Sequence, residues 1–132
     1  MPLKFYPKTG TVLVCDYQPG FKQPEMTKRR PVVVVSPRFR GRGNLCTVVP
    51  LSTTPPVPVM PYHCEIEVEL VHPYAANSSW VKADMLATVG FHRLHPMRTG
   101  KDQYGKRKYV YPNVGEDDLS RILECIRAAL GM

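Results

Sequence analysis

The residues of this sequence best suited to chemistry are an arginine and two hydroxyls at the ends of apolar segments. Arg30 stands directly before Pro31 and four valines, and Ser52 and Thr53 follow the segment Val48-Val-Pro-Leu51. A guanidinium offers planar, permanently charged donors to phosphoryl oxygens, and a hydroxyl beside it can add a hydrogen bond. This combination favours stabilisation of a dianionic phosphoryl transition state, by Arg30 together with Ser52 or Thr53.

Positive charge dominates the composition and is clustered. Eighteen Lys and Arg residues against eleven Asp and Glu residues give a formal net charge of +7. This balance favours a polyanionic partner, of which a nucleic acid is one class. The clusters fall in expected loops, and the segment 98–108 is one of them. The candidate RNA-binding residues are Lys28, Arg29, Arg38, Arg40 and Arg42.

Fourteen prolines limit helix formation and favour short strands joined by rigid loops, so the fold is predicted to be mainly β. Strands are predicted at 11–16, 32–35, 45–51 and 63–71, with further strand or turn material between 78 and 94. Pro31 favours an extended conformation at Arg30. The valines 32–35 do not alternate with polar residues, which indicates a strand covered on both faces.

The C-terminal third contains a basic segment and then an amphipathic segment. Residues 97–112 are basic, interrupted by glycine and flanked by tyrosines, which predicts a protruding hairpin. A helix is predicted at 116–130, with three acidic residues in its first turn. Its apolar stripe, expected to be core, comprises Leu119, Ile122, Leu123, Ile126 and Leu130. We expect residues 1–132 to form a single domain.

The four widely spaced cysteines are predicted to be buried free thiols of a reducing compartment. A zinc site built from His63, Cys64 and His72 lacks a supporting Cys-x-x-Cys pair, so we expect neither a metal nor another cofactor. The N-terminal segment has no apolar signal core, and no apolar run has the length of a membrane span. We therefore expect a cytoplasmic protein without a membrane partner.

Four segments, in this order and spacing, carry a resemblance to a known family. They are Gly10-Thr-Val-Leu-Val-Cys-Asp16, Pro24-Glu-Met-Thr-Lys-Arg-Arg-Pro-Val-Val-Val-Val-Ser36, Val48-Val-Pro-Leu-Ser-Thr53, and Ser79-Trp-Val-Lys-Ala-Asp84 with Arg93-Leu94. Together they resemble the MazF/PemK toxins of type II toxin-antitoxin systems. The resemblance implies a small SH3-like β-barrel of antiparallel strands with an amphipathic C-terminal helix. It also implies a homodimer that cuts single-stranded mRNA sequence-selectively without a metal and is neutralised by a cognate antitoxin.

The same resemblance assigns roles to individual residues. It makes Arg30 and Ser52 the main catalytic pair, with Thr53 as the alternative if the register slips by one. It also matches a basic and an acidic residue of a later strand to Lys82 and Asp84. PemK-like members place a histidine in the first long loop, and none occurs between residues 17 and 30. The proton-transfer roles therefore stay open: a partly buried Asp84 or Glu25 as the base, and Lys82 or Lys28 beside the leaving group.

Two other functions compete with RNA cleavage. A non-catalytic toxin resembling CcdB would have a related fold but would inhibit a protein such as DNA gyrase. That function predicts that Arg30 and Ser52 are dispensable and that the end of the C-terminal helix is essential. A non-cleaving RNA-binding module would instead use the loop cations collectively, with no single decisive residue.

Overall fold

The structure, a computed structural model, describes residues 3–132, so Met1 and Pro2 of the segment examined for a signal sequence lie outside it. The strands are β1 Val12–Cys15, β2 Arg30–Val34, β3 Leu45–Ser52, β4 His63–Ile66, β5 Ser79–Lys82, β6 Ala87–Gly90, β7 Leu94–His95, β8 Met97–Lys101 and β9 Arg107–Val110. Short 3-10 turns at Ala83–Met85 and Phe91–Arg93 separate β5, β6 and β7. The helix α1 spans Glu116–Ala129.

Seven strands form one antiparallel sheet in the order β4-β5-β3-β2-β1-β7, and β6 also pairs with β3. β8 and β9 form a separate hairpin. This arrangement confirms a mainly β fold with a C-terminal helix. Within residues 3–132 the end strands β4 and β7 do not pair with each other, so the expected barrel is not closed.

Apolar side chains cover both faces of the central strands. Val33 packs on one face in a cluster that includes Ile122 of α1. Val32 and Val34 pack on the other face in a cluster that includes Tyr17. A strand covered on both faces can be apolar at every position, and this confirms the interpretation of the valine run.

The strand predicted at 63–71 is shorter than expected. β4 ends at Ile66, although the burial of alternate residues continues to Leu70. Ile66 pairs with Ser79, the first residue of β5, so residues after Ile66 have no neighbouring strand to bond. The alternation therefore predicted correctly which side chains are buried, but the predicted strand was wrong after Ile66.

The helix at 116–130 is confirmed to within one residue, but its core face was partly wrong. Ile122 and Cys125 are the buried side chains of α1. Leu123 and Leu130 are 40% and 57% exposed. Cys125 lies three residues after Ile122 and therefore on the same, inward face of α1. The predicted apolar stripe had included Leu123 in place of this cysteine.

In the described part of the chain the four cysteines form no disulfide, and Cys15, Cys46 and Cys125 are buried. Burial raises the pKa of Cys15 and of Cys46 to about 12, so both are neutral thiols at ordinary pH. Among residues 3–132, no three His, Cys, Asp or Glu side chains are grouped as a metal site would require. No helix in the same range is long and apolar enough to cross a membrane.

Candidate active site

Arg30 is the first residue of β2 and pairs with Cys15 of β1. Pro31 directly after it disfavours helical backbone at Arg30, which agrees with the extended conformation observed. The next valines are buried, so the strand that carries Arg30 is anchored in the core. The half-buried guanidinium therefore extends from a rigid element.

Ser52, the last residue of β3, lies beside Arg30. β2 and β3 are antiparallel and pair Val32 with Pro50, so the first residue of β2 and the last residue of β3 stand at the same end of the two strands. Both side chains line one cavity. Strand pairing thus brings together two residues that the sequence separates by a 22-position interval.

The same row continues across β5 and β4. Ser52 pairs with Trp80, and Trp80 pairs with Glu65. The hydroxyl of Ser78 donates a hydrogen bond to the Glu65 carboxylate. Trp80 is half-buried, so the row leads from the arginine to an aromatic surface.

A cavity of about 280 Å³ opens at the Arg30 and Ser52 end of this row. It is lined by Lys28, Arg29, Arg30, Pro31, Leu51, Ser52, Thr53, Thr54, Pro73, Tyr74 and Ser79. The sequence predicted its cations and hydroxyls, but not Tyr74 and Pro73, which come from the connection between β4 and β5. The sequence signal that could have indicated them is Tyr74 directly after Pro73, between two predicted strands.

Nε of Arg30 is buried without a hydrogen-bond partner in residues 3–132. The buried hydroxyl of Tyr17 contacts the Cys15 thiol. Burial raises the pKa of Tyr17, and the charge of Arg30 opposes that rise without cancelling it. Tyr17 is therefore a neutral phenol near the guanidinium. A buried donor without a partner costs stability, so Nε of Arg30 does not stabilise the free protein through a hydrogen bond.

The hydroxyl of Ser52 is oriented by the turn that follows β3. Its Oγ accepts a hydrogen bond from the backbone N–H of Thr54 at 3.1 Å. That bond uses a lone pair and leaves the O–H proton for another acceptor. Ser52 is 6% exposed, whereas Thr53 is exposed, so Ser52 is the better fixed of the two hydroxyls.

The loop between β1 and β2 is held in place by Arg93. This side chain donates to the backbone oxygens of Asp16 at 3.3 Å and Pro19 at 2.8 Å. Its guanidinium also lies 4.9 Å from the centre of the Phe21 ring, in cation–π geometry. Arg93 belongs to a motif quoted above, but its supporting role could not be read from the sequence.

A second cleft, of about 610 Å³, contains Glu25, Lys28, Met85 and Arg30 among its lining residues. Oε1 of Glu25 accepts a hydrogen bond from the backbone N–H of Lys22 at 3.0 Å. Glu25 is exposed, so the expected partial burial of this carboxylate was wrong. Arg30 and Lys28 line both this cleft and the cavity, which makes the two spaces neighbours.

Asp84 and Lys82 differ most from the expectation. Asp84 lies in the 3-10 turn after β5 and not on a strand, and it is exposed. Its Oδ1 lies 3.9 Å from Nε2 of His63, whose Nδ1 accepts the N–H of Met60 at 3.0 Å. Lys82 pairs with His63 across β5 and β4. Neither Asp84 nor Lys82 lines the two clefts around Arg30.

The remaining candidate RNA-binding residues lie elsewhere. Arg38, Arg40 and Arg42 occupy the connection between β2 and β3 and line a separate cleft with Phe39. Arg30 begins β2, and this connection follows the other end of the strand. The structure therefore divides the predicted RNA-binding residues into two groups, with Lys28 and Arg29 beside Arg30.

Comparison with known proteins adds independent findings. A family model described as PemK-like, MazF-like toxin of type II toxin-antitoxin system matches residues 8–130. The uncharacterized protein YifN of Escherichia coli K12 is 33% identical over 119 residues, with 75% of this chain and 78% of YifN covered. An uncharacterized protein of Haemophilus influenzae is 32% identical over 102 residues, with 67% of this chain and 69% of the relative covered.

Solved structures share the fold at lower identity. An endoribonuclease in complex with its cognate antitoxin, from a mycobacterial species, has a TM-score of 0.62 at 22% identity, covering 96% of this chain and 97% of that chain. MazF from Deinococcus radiodurans has a TM-score of 0.63 at 18% identity, covering 98% and 100%. At these identities the likeness establishes the fold.

Proposed function

The chain belongs to the PemK-like, MazF-like toxins of type II toxin-antitoxin systems, and on that premise we propose that it is a metal-independent endoribonuclease of single-stranded mRNA. Cleavage of this kind inhibits translation and growth. The observation that carries the proposal is the shared cavity of Arg30 and Ser52, in which a buried guanidinium nitrogen has no partner within residues 3–132.

The proposed reaction is attack of a ribose 2′-oxygen on the adjacent phosphorus. The base accepts the 2′-hydroxyl proton, the bond from phosphorus to the 5′-oxygen breaks, and that oxygen takes up a proton. The products are a 2′,3′-cyclic phosphate and a 5′-hydroxyl. Arg30 binds the equatorial phosphoryl oxygens through its N–H groups, and the O–H of Ser52 donates to the same oxygens.

Proton transfer is assigned by proximity to Arg30. Glu25 shares a cleft with Arg30 and Lys28, so we assign the base to Glu25 and place Lys28 beside the leaving oxygen. Asp84 is reassigned to orienting His63, because its carboxylate faces Nε2 of that histidine. Lys82 pairs with His63 across β5 and β4, outside both clefts, and is reassigned from proton transfer to adding positive charge there.

Substrate selectivity and regulation complete the proposal. The ring of Tyr74 forms part of the cavity wall and offers a stacking surface for a base next to the scissile phosphate. One structural neighbour is an endoribonuclease bound to its cognate antitoxin. For this chain we propose sequence-selective cleavage and neutralisation by a cognate antitoxin. We also propose that it acts as a homodimer.

The test is cleavage of single-stranded RNA by the purified protein in EDTA, with the cut ends mapped chemically. We expect selective cuts that leave 2′,3′-cyclic phosphate ends. Arg30→Ala should lower the rate by about 10²-fold or more, because it removes the donors to the transition state. Arg30→Lys should recover little, because an ammonium lacks the planar paired donors.

Arg29→Ala is the matched control, since Arg29 is exposed and its Nη1 lies 3.7 Å from Oδ2 of Asp16. It should cost much less activity than Arg30→Ala. Intact RNA across a broad set of sequences would reject the proposal and leave the non-catalytic, CcdB-like function. Growth arrest on expression does not separate the two, because both classes of toxin predict it.

A further inference from the structure

The arginine-containing loop 37–44 and the basic hairpin 97–110 both begin next to the segment 9–12. On one side, this segment bonds to the residues that precede the loop, through Gly10 N–H to Val34 O at 2.7 Å and Thr9 Oγ1 to Ser36 O at 3.3 Å. On the other side, Val12 N–H donates to the oxygen of Pro112, which follows β9, at 2.7 Å. The turn and strand start at 9–12 thus lie between the end of β2 and the residue that follows the hairpin, which places the bases of the two basic segments about 10 Å apart.

These two segments form a strongly positive surface, which we name the basic pole: the loop 37–44 and the hairpin 97–110. The loop contains three arginines and the hairpin five lysines and arginines, and all of them are exposed. The one acidic residue in both segments is Asp102. Its Oδ1 accepts the N–H groups of Tyr104 and Lys106, so this carboxylate organises the hairpin turn.

The basic pole is separate from the cavity at Arg30. Arg30 is the first of the five residues of β2 and the loop follows the other end, so the strand alone separates them by roughly 13 Å. The loop has its own cleft, lined by Phe39 among the arginines. Tyr104 at the hairpin turn is 80% exposed.

This arrangement suits the phosphate backbone of a nucleic acid. Exposed cations spread over two segments can neutralise several phosphates in a row without reading their sequence. The exposed ring of Tyr104 can stack on any unpaired base. A protein partner would instead need a desolvated, mainly apolar core, whereas the exposed side chains of these two segments are predominantly cations.

We propose that the basic pole is a second RNA-binding surface, which holds the backbone of a single-stranded RNA beyond the nucleotides bound at Arg30. The proposal rests on the proposed function for the identity of the RNA. It predicts that long RNAs bind through both surfaces, whereas short ones reach the cavity alone.

The experiment is fluorescence anisotropy with 2′-O-methyl RNA, which lacks the nucleophile and is not cut, at lengths of about 5 and about 20 nucleotides. Arg40→Ala/Arg42→Ala removes two cations from the basic pole. Each lost phosphate contact should reduce the log–log salt slope for the long RNA by about 0.7, and two contacts correspond to about 25-fold weaker binding at 0.1 M salt. The affinity ratio of long to short RNA should fall by the same factor.

The matched control is Arg121→Ala/Arg127→Ala, which removes the same net charge from exposed positions of α1. Their partners Asp118 and Glu124 are surface carboxylates, so the control should cost little stability and leave the salt slope unchanged. Equal effects of the two variants, or no effect of either on the slope, would overturn the proposal. Because this assay measures binding without cleavage, a protein that binds through the pole but cuts nothing would reject the endoribonuclease proposal and not this one.

Discussion

At the scale of the residue, two side chains of the cavity differ in their hydrogen bonding. Ser52 is buried and oriented by Thr54, whereas Nε of Arg30 is buried without a partner in the described residues. An unpaired buried donor costs about 1–3 kcal/mol. Hydrogen bonding at this Nε therefore does not stabilise the free protein, and in the proposed reaction the N–H groups of Arg30 that face the cavity are the donors to the phosphoryl oxygens.

Ser52 and Thr53 are separable by substitution. Ser52→Ala should lower the single-turnover cleavage rate by roughly 10²-fold, because it removes the oriented donor. Thr53→Ala is the matched variant at an exposed position and should cost less than a tenth of that loss. Urea unfolding of both variants checks that the fold is retained. A larger effect at Thr53 would show that the register assigned from the motif is displaced by one residue.

At the scale of the element, the loop between β1 and β2 carries the cations of the cavity and depends on Arg93 for its position. The carbonyls of Asp16 and Pro19 accept its two hydrogen bonds. The loop also buries Tyr17 in the core and packs Phe21 and Met26 against that cluster, whereas its lysines are exposed. Arg93, from a distant part of the sequence, therefore adds polar contacts to a loop that is anchored by its own apolar side chains.

Arg93→Ala should loosen this loop while leaving the sheet folded. Lys22 and Lys28 are exposed in the loop, and trypsin should cut there several-fold faster once the hydrogen bonds to Arg93 are lost. Peptide mapping of a timed digest measures the effect. Arg127→Ala on α1 is the control and should not change the loop cleavage rate. Unchanged cleavage in Arg93→Ala would show that the loop is held by other contacts.

The helix offers a comparison of two adjacent apolar residues. Ile122 is fully buried, so Ile122→Ala should lower the free energy of unfolding by about 2–5 kcal/mol. Leu123 is 40% exposed, so Leu123→Ala should change it by about 0.5 kcal/mol or less. Urea denaturation measures both. Equal losses would mean that Leu123 is covered in solution, as a homodimer or an antitoxin contact would cover it.

At the scale of the whole molecule, the core on both faces of the sheet contains ionisable groups kept neutral by burial. Burial raises the pKa of Cys15, Cys46 and Cys64 from 9.0 to about 12, and the neighbouring Cys125 thiol contributes at Cys64. The folded state therefore binds these protons more tightly than the unfolded chain. The resulting stability is present below pH 9 and is lost as the pH rises through the folded pKa values.

The free energy of unfolding should therefore be steady near neutral pH and fall progressively between about pH 9 and pH 12. Urea midpoints measured at intervals across this range test the prediction. Cys46→Ala removes one of the buried thiols and should reduce the steepness of the fall. A stability that stays constant up to pH 11 would contradict the assigned burial of these thiols.

How much of the structure could be predicted from the sequence depended on how far apart in the chain the interacting residues are. The valine run, the proline after Arg30 and the acidic first turn of α1 are local features, and the strand, the extended backbone and the helix follow from them. The family motifs are local too, which is why Arg30 and Ser52 could be named together. Where a pattern needed a partner strand, as after Ile66, the prediction failed because pairing depends on a distant segment.

By itself the sequence therefore determined the β+α class, the separate elements and the cations and hydroxyls available for phosphoryl chemistry. Tertiary structure alone decided that the pairing of β2 with β3 brings Arg30 and Ser52 to one cavity, that Tyr74 lines it, and that Arg93 bonds to the loop between β1 and β2. It also placed the arginines of the loop 37–44 in a cleft apart from that cavity. Those contacts span many positions of the chain, and only strand pairing and packing bring such residues within a few ångströms of each other.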